Sequence, residues 1–265
     1  MSIFDDKGKL IYKGDMKGGR RSGHGILYWP SGNEIKYQEG WFNNNLLEDK
    51  MGRIYAKAGQ LDYLGQVVKG KREGKGNEFH KNGRLKVEGT YKNDQLHDGK
   101  VEVYYENGRV EYSGGFENGK KHGQGIEYHQ NGKVKYQGNF VNGTFNGDAV
   151  QVTNEDSIVV YSGSMKEGIK SGKGIAYYDN GKTKAIANFE NGEVHDEQAK
   201  LYNIEGILDF SGMVSNGVKN GMGQEYFADG SIKSTGYWKD NKKNGLFYSF
   251  YQYTMKDIES IKGKN

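Results

Sequence analysis

Apolar side chains in this chain alternate with polar ones rather than running together. In residues 112–135, YSGGFENGKKHGQGIEYHQNGKVK, Tyr112, Gly114 and Phe116 stand two apart and so share one face of an extended strand. Asn118-Gly119 follows, a dipeptide that readily takes the positive φ of a tight hairpin turn. Gly123, Gly125 and the stretch from Ile126 to Tyr128 form a returning strand, and Asn131-Gly132 makes a second turn before Tyr136-Gln137-Gly138 begins the pattern again. The pattern predicts a unit of two short antiparallel strands and two turns.

The tripeptide aromatic-x-Gly, as in Tyr112-Ser113-Gly114 and Tyr136-Gln137-Gly138, sets a register that runs through the chain. Its glycine falls at Gly14, Gly40, Gly65, Gly89, Gly114, Gly138, Gly163, Gly212 and Gly236, with Ala187 in the remaining slot, at steps of 24 to 26 residues. A fixed period of this size marks a stacked repeat array, in which each unit buries surface against its neighbours. Two residues after the glycine the chain is apolar in every unit: Met16, Phe42, Val67, Tyr91, Phe116, Phe140, Met165, Phe189, Val214 and Trp238. Fourteen after it, the odd-numbered units carry Tyr28, Phe79, Tyr128, Tyr177 and Tyr226. Stacked unit on unit, these become ladders of cross-strand pairs, and glycines beside them let aromatic rings lie flat over the backbone.

Composition agrees with a thin sheet. Glycine supplies 42 of 265 residues and proline 1, so the chain turns often without proline stiffness. A mean hydropathy of −0.91 leaves too few aliphatics for a thick core, while 13% aromatics is too many for a disordered chain. With no cysteine there is neither a disulfide framework nor a thiolate metal site, which fits a reducing compartment. No apolar run approaches the ~20 residues that span a bilayer, and MSIFDDKGKL places acids where a secretory leader needs positive charge. The expectation is a soluble intracellular protein. A net charge of +4, from 38 basic and 34 acidic groups, gives no argument for nucleic acid as a partner.

Tyr-x-Gly-x-apolar, then Asn-Gly-Lys-Lys-His-Gly-x-Gly, then an aromatic and another Asn-Gly resembles the MORN repeat over about residues 4 to 250. That resemblance implies an all-β fold: an elongated, single-layer, twisted antiparallel sheet of about twenty short strands, curved into a groove, with no catalytic machinery of its own. It implies a repeat array over 1–250, with a half-repeat at 1–11, since Phe4 precedes Gly14 as Tyr128 precedes Gly138, and ten units from about residue 12. Residues 251–265 then form a C-terminal tail or cap. MORN proteins serve as scaffolds in cilia and cortical structures or as modules beside a catalytic domain; fold alone does not choose among these.

Two kinds of unit alternate. The odd ones carry Gly-x-Gly on the returning strand, at Gly23/Gly25, Gly74/Gly76, Gly123/Gly125, Gly172/Gly174 and Gly221/Gly223; the even ones do not, showing Asp49/Met51 and Asp196/Gln198 among others. One extra residue in the even units predicts a longer turn or a β-bulge, and a building block of 49 residues. Turn chemistry alternates as well. Odd units place Arg20-Arg21, Lys71-Arg72, Lys120-Lys121, Lys170 and Lys219 after the first turn, and even units place Leu46-Leu47, Leu96, Phe145 and Val194 there, until Lys242-Lys243 breaks the rule. Two expectations compete: an edge presenting basic and apolar turns as a docking surface, or apolar turn residues folded back over adjacent hairpins.

His97, His122 and His195 share one repeat position, but copies two strands apart sit ~10 Å from one another, too far for one zinc ion with nitrogens at ~2 Å. Gly70-Lys71-Arg72-Glu73-Gly74-Lys75-Gly76 lacks both the strand-loop-helix setting and the Gly-Lys-Ser/Thr ending of a phosphate loop. No nucleophile-base set stands out, so the expectation is a non-enzymatic protein with no cofactor, no metal, no small-molecule substrate and no nucleic acid. The leading reading is a structural scaffold or adaptor whose partners are other proteins of a multi-subunit assembly, in the cytoplasm or cytoskeleton and best placed in a ciliary axoneme. Two alternatives stand: a peripheral binder of anionic lipid, weighed against by acids interleaved among the bases, and a small bacterial protein that neutralises a partner. Candidate partner contacts are Tyr112, Phe116, Tyr128, Tyr136 and Phe140 on the aromatic face, with Leu47, Leu96 and Phe145 on the turn edge.

Overall fold

A computed structural model describes residues 1–31, 34–57, 59–97 and 99–252. Most of the expected tail, from residue 253 on, lies outside the described residues. Among the described residues every regular element is a strand, and every strand pair is antiparallel, as the alternating pattern predicts. The chain gathers into two compact units, Met1–Thr144 and Phe145–Asn265.

In the first unit, Ser2–Phe4 pairs with Leu10–Lys17, which pairs with Arg20–Ser31, and each long strand then pairs with the next as far as Val134–Val141. The second unit repeats the arrangement from Gly147–Thr153 to Lys242–Ser249. The described strands number 25 rather than about twenty. The excess is Ser2–Phe4 and four two-residue strands, Leu46–Leu47, Gln95–Leu96, Thr144–Phe145 and Glu193–Val194, all in even repeats. There the returning strand is interrupted, as at Glu48, and its register then shifts where the extra residue sits, for instance between Asp49 and Gly52 opposite Val67 and Gly65.

At each first turn both central residues have positive φ, as at Asn118 (49°) and Gly119 (75°). This is the primed turn that matches strand twist. The glycines then pair with one another across the strands. In the first unit Gly114 faces Val101 on one side and Gly125 on the other, and Gly125 faces Gly138. In the second, Ala199, Gly212, Gly223, Gly236 and Phe247 form one row.

Gly-x-Gly has two separate causes. The first glycine takes a left-handed conformation at the register shift, with Gly123 at φ 70° and Gly172 at 68°. The second lies under a ring: a Cβ added to Gly125 would stand 2.7 Å from Cζ of Tyr112, closer than real Cβ atoms approach. Two even repeats meet the same break with a carboxylate, while two others place a glycine there, Gly147 and Gly245. Asp49 accepts the N–H groups of Trp41 (2.8 Å) and Met51 (2.9 Å), and Asp196 those of Asn188 (2.7 Å) and Gln198 (2.8 Å).

The aromatic slot two before the key glycine is filled at Tyr12, Tyr63, Tyr112, Tyr136, Tyr161 and Phe210. The other copies hold Gln38, Val87, Ala185 and Ser234, all in even repeats. Aromatic-x-Gly is thus a rule of the odd units, and Tyr136 is the one even repeat that keeps it. In five units the tyrosine hydroxyl donates to the carbonyl three residues on: Tyr12 to Asp15 at 2.8 Å, Tyr63 to Gln66 at 2.9 Å, Tyr112 to Gly115 at 2.8 Å, Tyr136 to Asn139 at 2.9 Å and Tyr161 to Ser164 at 2.8 Å. A buried phenol needs such a partner.

Candidate interaction surface

One face of the strands carries the packed ladder. Each odd-repeat ring meets, edge to face, the residue two after the glycine of the following repeat. The pairs are Tyr12–Phe42, Tyr63–Tyr91, Tyr112–Phe140, Tyr161–Phe189 and Phe210–Trp238, at 5.1–5.6 Å between centroids and 83–88° between planes. This geometry adds about 0.5–1.5 kcal/mol per pair beyond area burial. Over every such pair sits the cation seven residues after the odd glycine. Arg72 lies 5.6 Å from the Tyr63 centroid and 5.1 Å from that of Tyr91; Lys219 lies 4.6 Å from Phe210 and 4.9 Å from Trp238. Arg21, Lys121 and Lys170 are placed the same way. In even repeats this position belongs to Leu47, which is 0% exposed, and to Leu96, packed against the core cluster.

The alternation of basic and apolar turn residues therefore follows the packing of the sheet. At Leu47, Leu96 and the five cations, the docking edge is replaced by side chains folded inward. Their immediate neighbours Arg20, Leu46, Lys71 and Lys120 remain exposed. The burial that accompanies this packing, as the chief cause, pushes the phenols of Tyr63 and Tyr112 up to about 12. Glu127 shows the opposite balance. Burial alone would raise its carboxyl, but hydrogen bonds from Lys121 and Lys135, both 2.6 Å, outweigh that and hold it below the ordinary value.

Of the eight contacts named from the sequence, Tyr112, Tyr136, Phe140 and Leu47 are in the core, with at most 2% exposure. Phe116, Tyr128, Leu96 and Phe145 are half-buried. The structure brings Tyr112, Phe116, Tyr136 and Phe140 together as one ring cluster. Leu47 and Leu96 lie beside the Tyr12, Tyr63 and Tyr91 cluster instead. His122 stands 3.3 Å from Glu117 and His195 3.7 Å from Glu190, each within its own turn region. Among the described residues no three His, Asp or Glu side chains are grouped to hold a metal.

The opposite face is open. Its residues flank the glycine row by one, and in the second unit they turn apolar. Met222 is paired beside Tyr237, and Thr235 beside Tyr248. Together with Leu246 they line a cleft of about 390 Å³. Met222 is 62% exposed, Tyr237 47%, Leu246 75% and Tyr248 63%. Sequence reasoning missed this cluster because it followed the buried parity of the strands. The signal was available in the other parity, where Met213 replaces the Gln66 and Ser164, and Met222 the Lys75, Gln124 and Lys173, of earlier odd copies.

None of the curated proteins matches the chain. Models of the MORN repeat match residues 12–34, 161–183, 210–232 and 235–246, and models of a MORN repeat variant match 72–93, 98–120 and 121–142. The matched segments together cover more than half of the chain, so the chain belongs to the MORN-repeat proteins.

Proposed function

We propose that this chain is a non-catalytic scaffold or adaptor that binds protein partners within a multi-subunit intracellular assembly. The family's occurrence in ciliary and cortical scaffolds makes an axonemal or other cytoskeletal complex the setting to examine first. The observation that carries the reading is the exposed apolar cluster of Met222, Tyr237, Leu246 and Tyr248 on the face opposite the ladder. Met and aromatic residues are enriched at the centres of protein interfaces, and a contiguous exposed apolar patch marks an interaction site.

This surface favours a protein over a lipid bilayer. Five of the bases that suggested lipid lie over rings of the ladder, where their charge is already engaged.

Affinity capture from extract, with wild type beside Met222→Asp and Leu246→Asp, tests the reading. Both side chains are exposed, so both variants should melt with the wild type. Proteins retained by wild type and lost from both variants are the expected result; identical recoveries from all three would overturn the placement.

A further inference from the structure

Two hairpin pairs hold a carboxylate between two cations on the ladder face, and a third holds one beside a single lysine of the next repeat. Glu78 pairs with Arg72 and, at 3.4 Å, with Lys86. Glu127 bridges Lys121 and Lys135 at 2.6 Å each. Glu225 meets Lys243 at 2.8 Å and accepts the Ser234 hydroxyl at 2.9 Å. In each case the carboxylate stands thirteen residues after the odd-repeat glycine.

The pair that begins at Tyr161 keeps the cations and lacks the acid. Lys170 holds the position of Lys121, and Lys184 that of Lys135, but Ala176 stands where Glu127 would be. The match holds residue for residue. Ala176 is paired with Ala185 as Glu127 is with Tyr136, and Lys184 falls in the same register shift as Lys135. Ala176 and Ala185 are 6% and 4% exposed, so two methyl groups occupy what are elsewhere a carboxylate and a phenol ring. Lys170 lies 5.3 Å from the Tyr161 ring centroid and 5.6 Å from that of Phe189, and Lys184 5.7 Å from that of Tyr178. Burial and then the neighbouring Lys184 hold Lys170 below the ordinary lysine value, against an opposing pull from Glu193 on the adjoining turn. Glu193 itself is exposed. The first repeat also lacks the acid, with Leu27 in its place, but there Tyr37 stands where the second lysine would be, so no pair of cations results.

We propose that Lys170 and Lys184 form a binding site for a carboxylate from outside the chain, an acidic side chain of a protein partner, in the place that Glu127 fills from within. The source of the carboxylate rests on the scaffold reading; the site does not. A carboxylate has two oxygens and so can accept from both ammonium groups at once, as Glu127 does from Lys121 and Lys135.

The full chain is titrated with N-acetyl-glutamic acid amide and with its neutral glutamine counterpart at matched ionic strength, following the lysine side-chain signals by NMR. The acidic probe should shift Lys170 and Lys184 saturably, on the order of millimolar, and the glutamine probe should not. Ala176→Glu supplies the missing acid internally and should abolish the response while raising the melting temperature. Lys184→Ala, an exposed change, should weaken binding at least about tenfold, the loss expected for one charge-assisted hydrogen bond. Equal responses to the two probes, or an unchanged response in both variants, would overturn the site. A response to inorganic phosphate at lower concentration than to the acidic probe would overturn its assignment to a carboxylate. None of these outcomes depends on Met222 or Leu246, so failure here is distinguishable from failure of the scaffold reading.

Discussion

The phenol of Tyr112 lies flat across Gly125, with no room for a side chain on that glycine, and its hydroxyl ends 2.8 Å from the carbonyl oxygen of Gly115. One ring thereby ties together both strands of a hairpin. The same arrangement recurs for Tyr12 over Gly25, Tyr63 over Gly76 and Tyr161 over Gly174.

Gly125→Ala should therefore evict the ring and cost about 1–3 kcal/mol, the range for overpacking a close contact. Gly123→Ala should also cost about 1–2 kcal/mol, for a different reason. Nothing lies within 4 Å of an added Cβ there, but the residue sits at φ 70°. Urea midpoints measure both. The near-ultraviolet signal should separate them, changing for Gly125→Ala and holding for Gly123→Ala.

Tyr112→Phe removes one hydrogen bond and keeps the ring, so about 0.5–1.5 kcal/mol of stability should be lost. It should also change the alkaline limb. A phenol held at about 12 in the folded chain, against 10.0 when free, favours the protonated form in the folded state. Its stabilisation is complete below about pH 10 and is lost as the pH climbs through about 12. Stability measured across that window should fall, and fall less steeply in the variant.

Glu127→Gln leaves Lys121 and Lys135 without their shared partner. The cost should be about 1–2 kcal/mol, below that of a fully buried pair because Lys135 is partly solvated. Since the carboxyl is held below 4.5, its contribution is present above that value and lost as the pH falls through the lower folded value. Acid titration of stability should show a shallower decline in the variant.

Leu47 and Leu46 are neighbours with opposite fates, 0% and 46% exposed. Leu47→Ala should cost about 2–5 kcal/mol, whereas Leu46→Ala should stay within about 0.5 kcal/mol. Comparable effects at the two positions, read from melting, would return both to the turn edge.

Much of this architecture was legible from the spacing of glycines and rings. Asn118-Gly119 names its turn because few other pairs tolerate two positive φ values, and Gly125 names the ring that covers it. The role of Arg72 was not legible. A base beside a hairpin turn reads as solvated, and only the inward parity of the seventh residue puts it over Tyr63 and Tyr91. For Leu47 the sequence offered both a turn edge and a fold back over the adjacent hairpin, and the same inward parity decides for the second. Ala176 was silent too, because alanine in a strand signals nothing until Glu78, Glu127 and Glu225 are seen to fill the same place. The open face escaped because Met222 and Tyr237 carry no repeat signature; they depart from one.

Ring-current shifts measure the ladder most directly. The α-protons of Gly25, Gly76, Gly125 and Gly174 should all be displaced well upfield and show cross-relaxation to the rings of Tyr12, Tyr63, Tyr112 and Tyr161 respectively. Ordinary glycine shifts at these four positions, with no contact to those rings, would contradict the ladder.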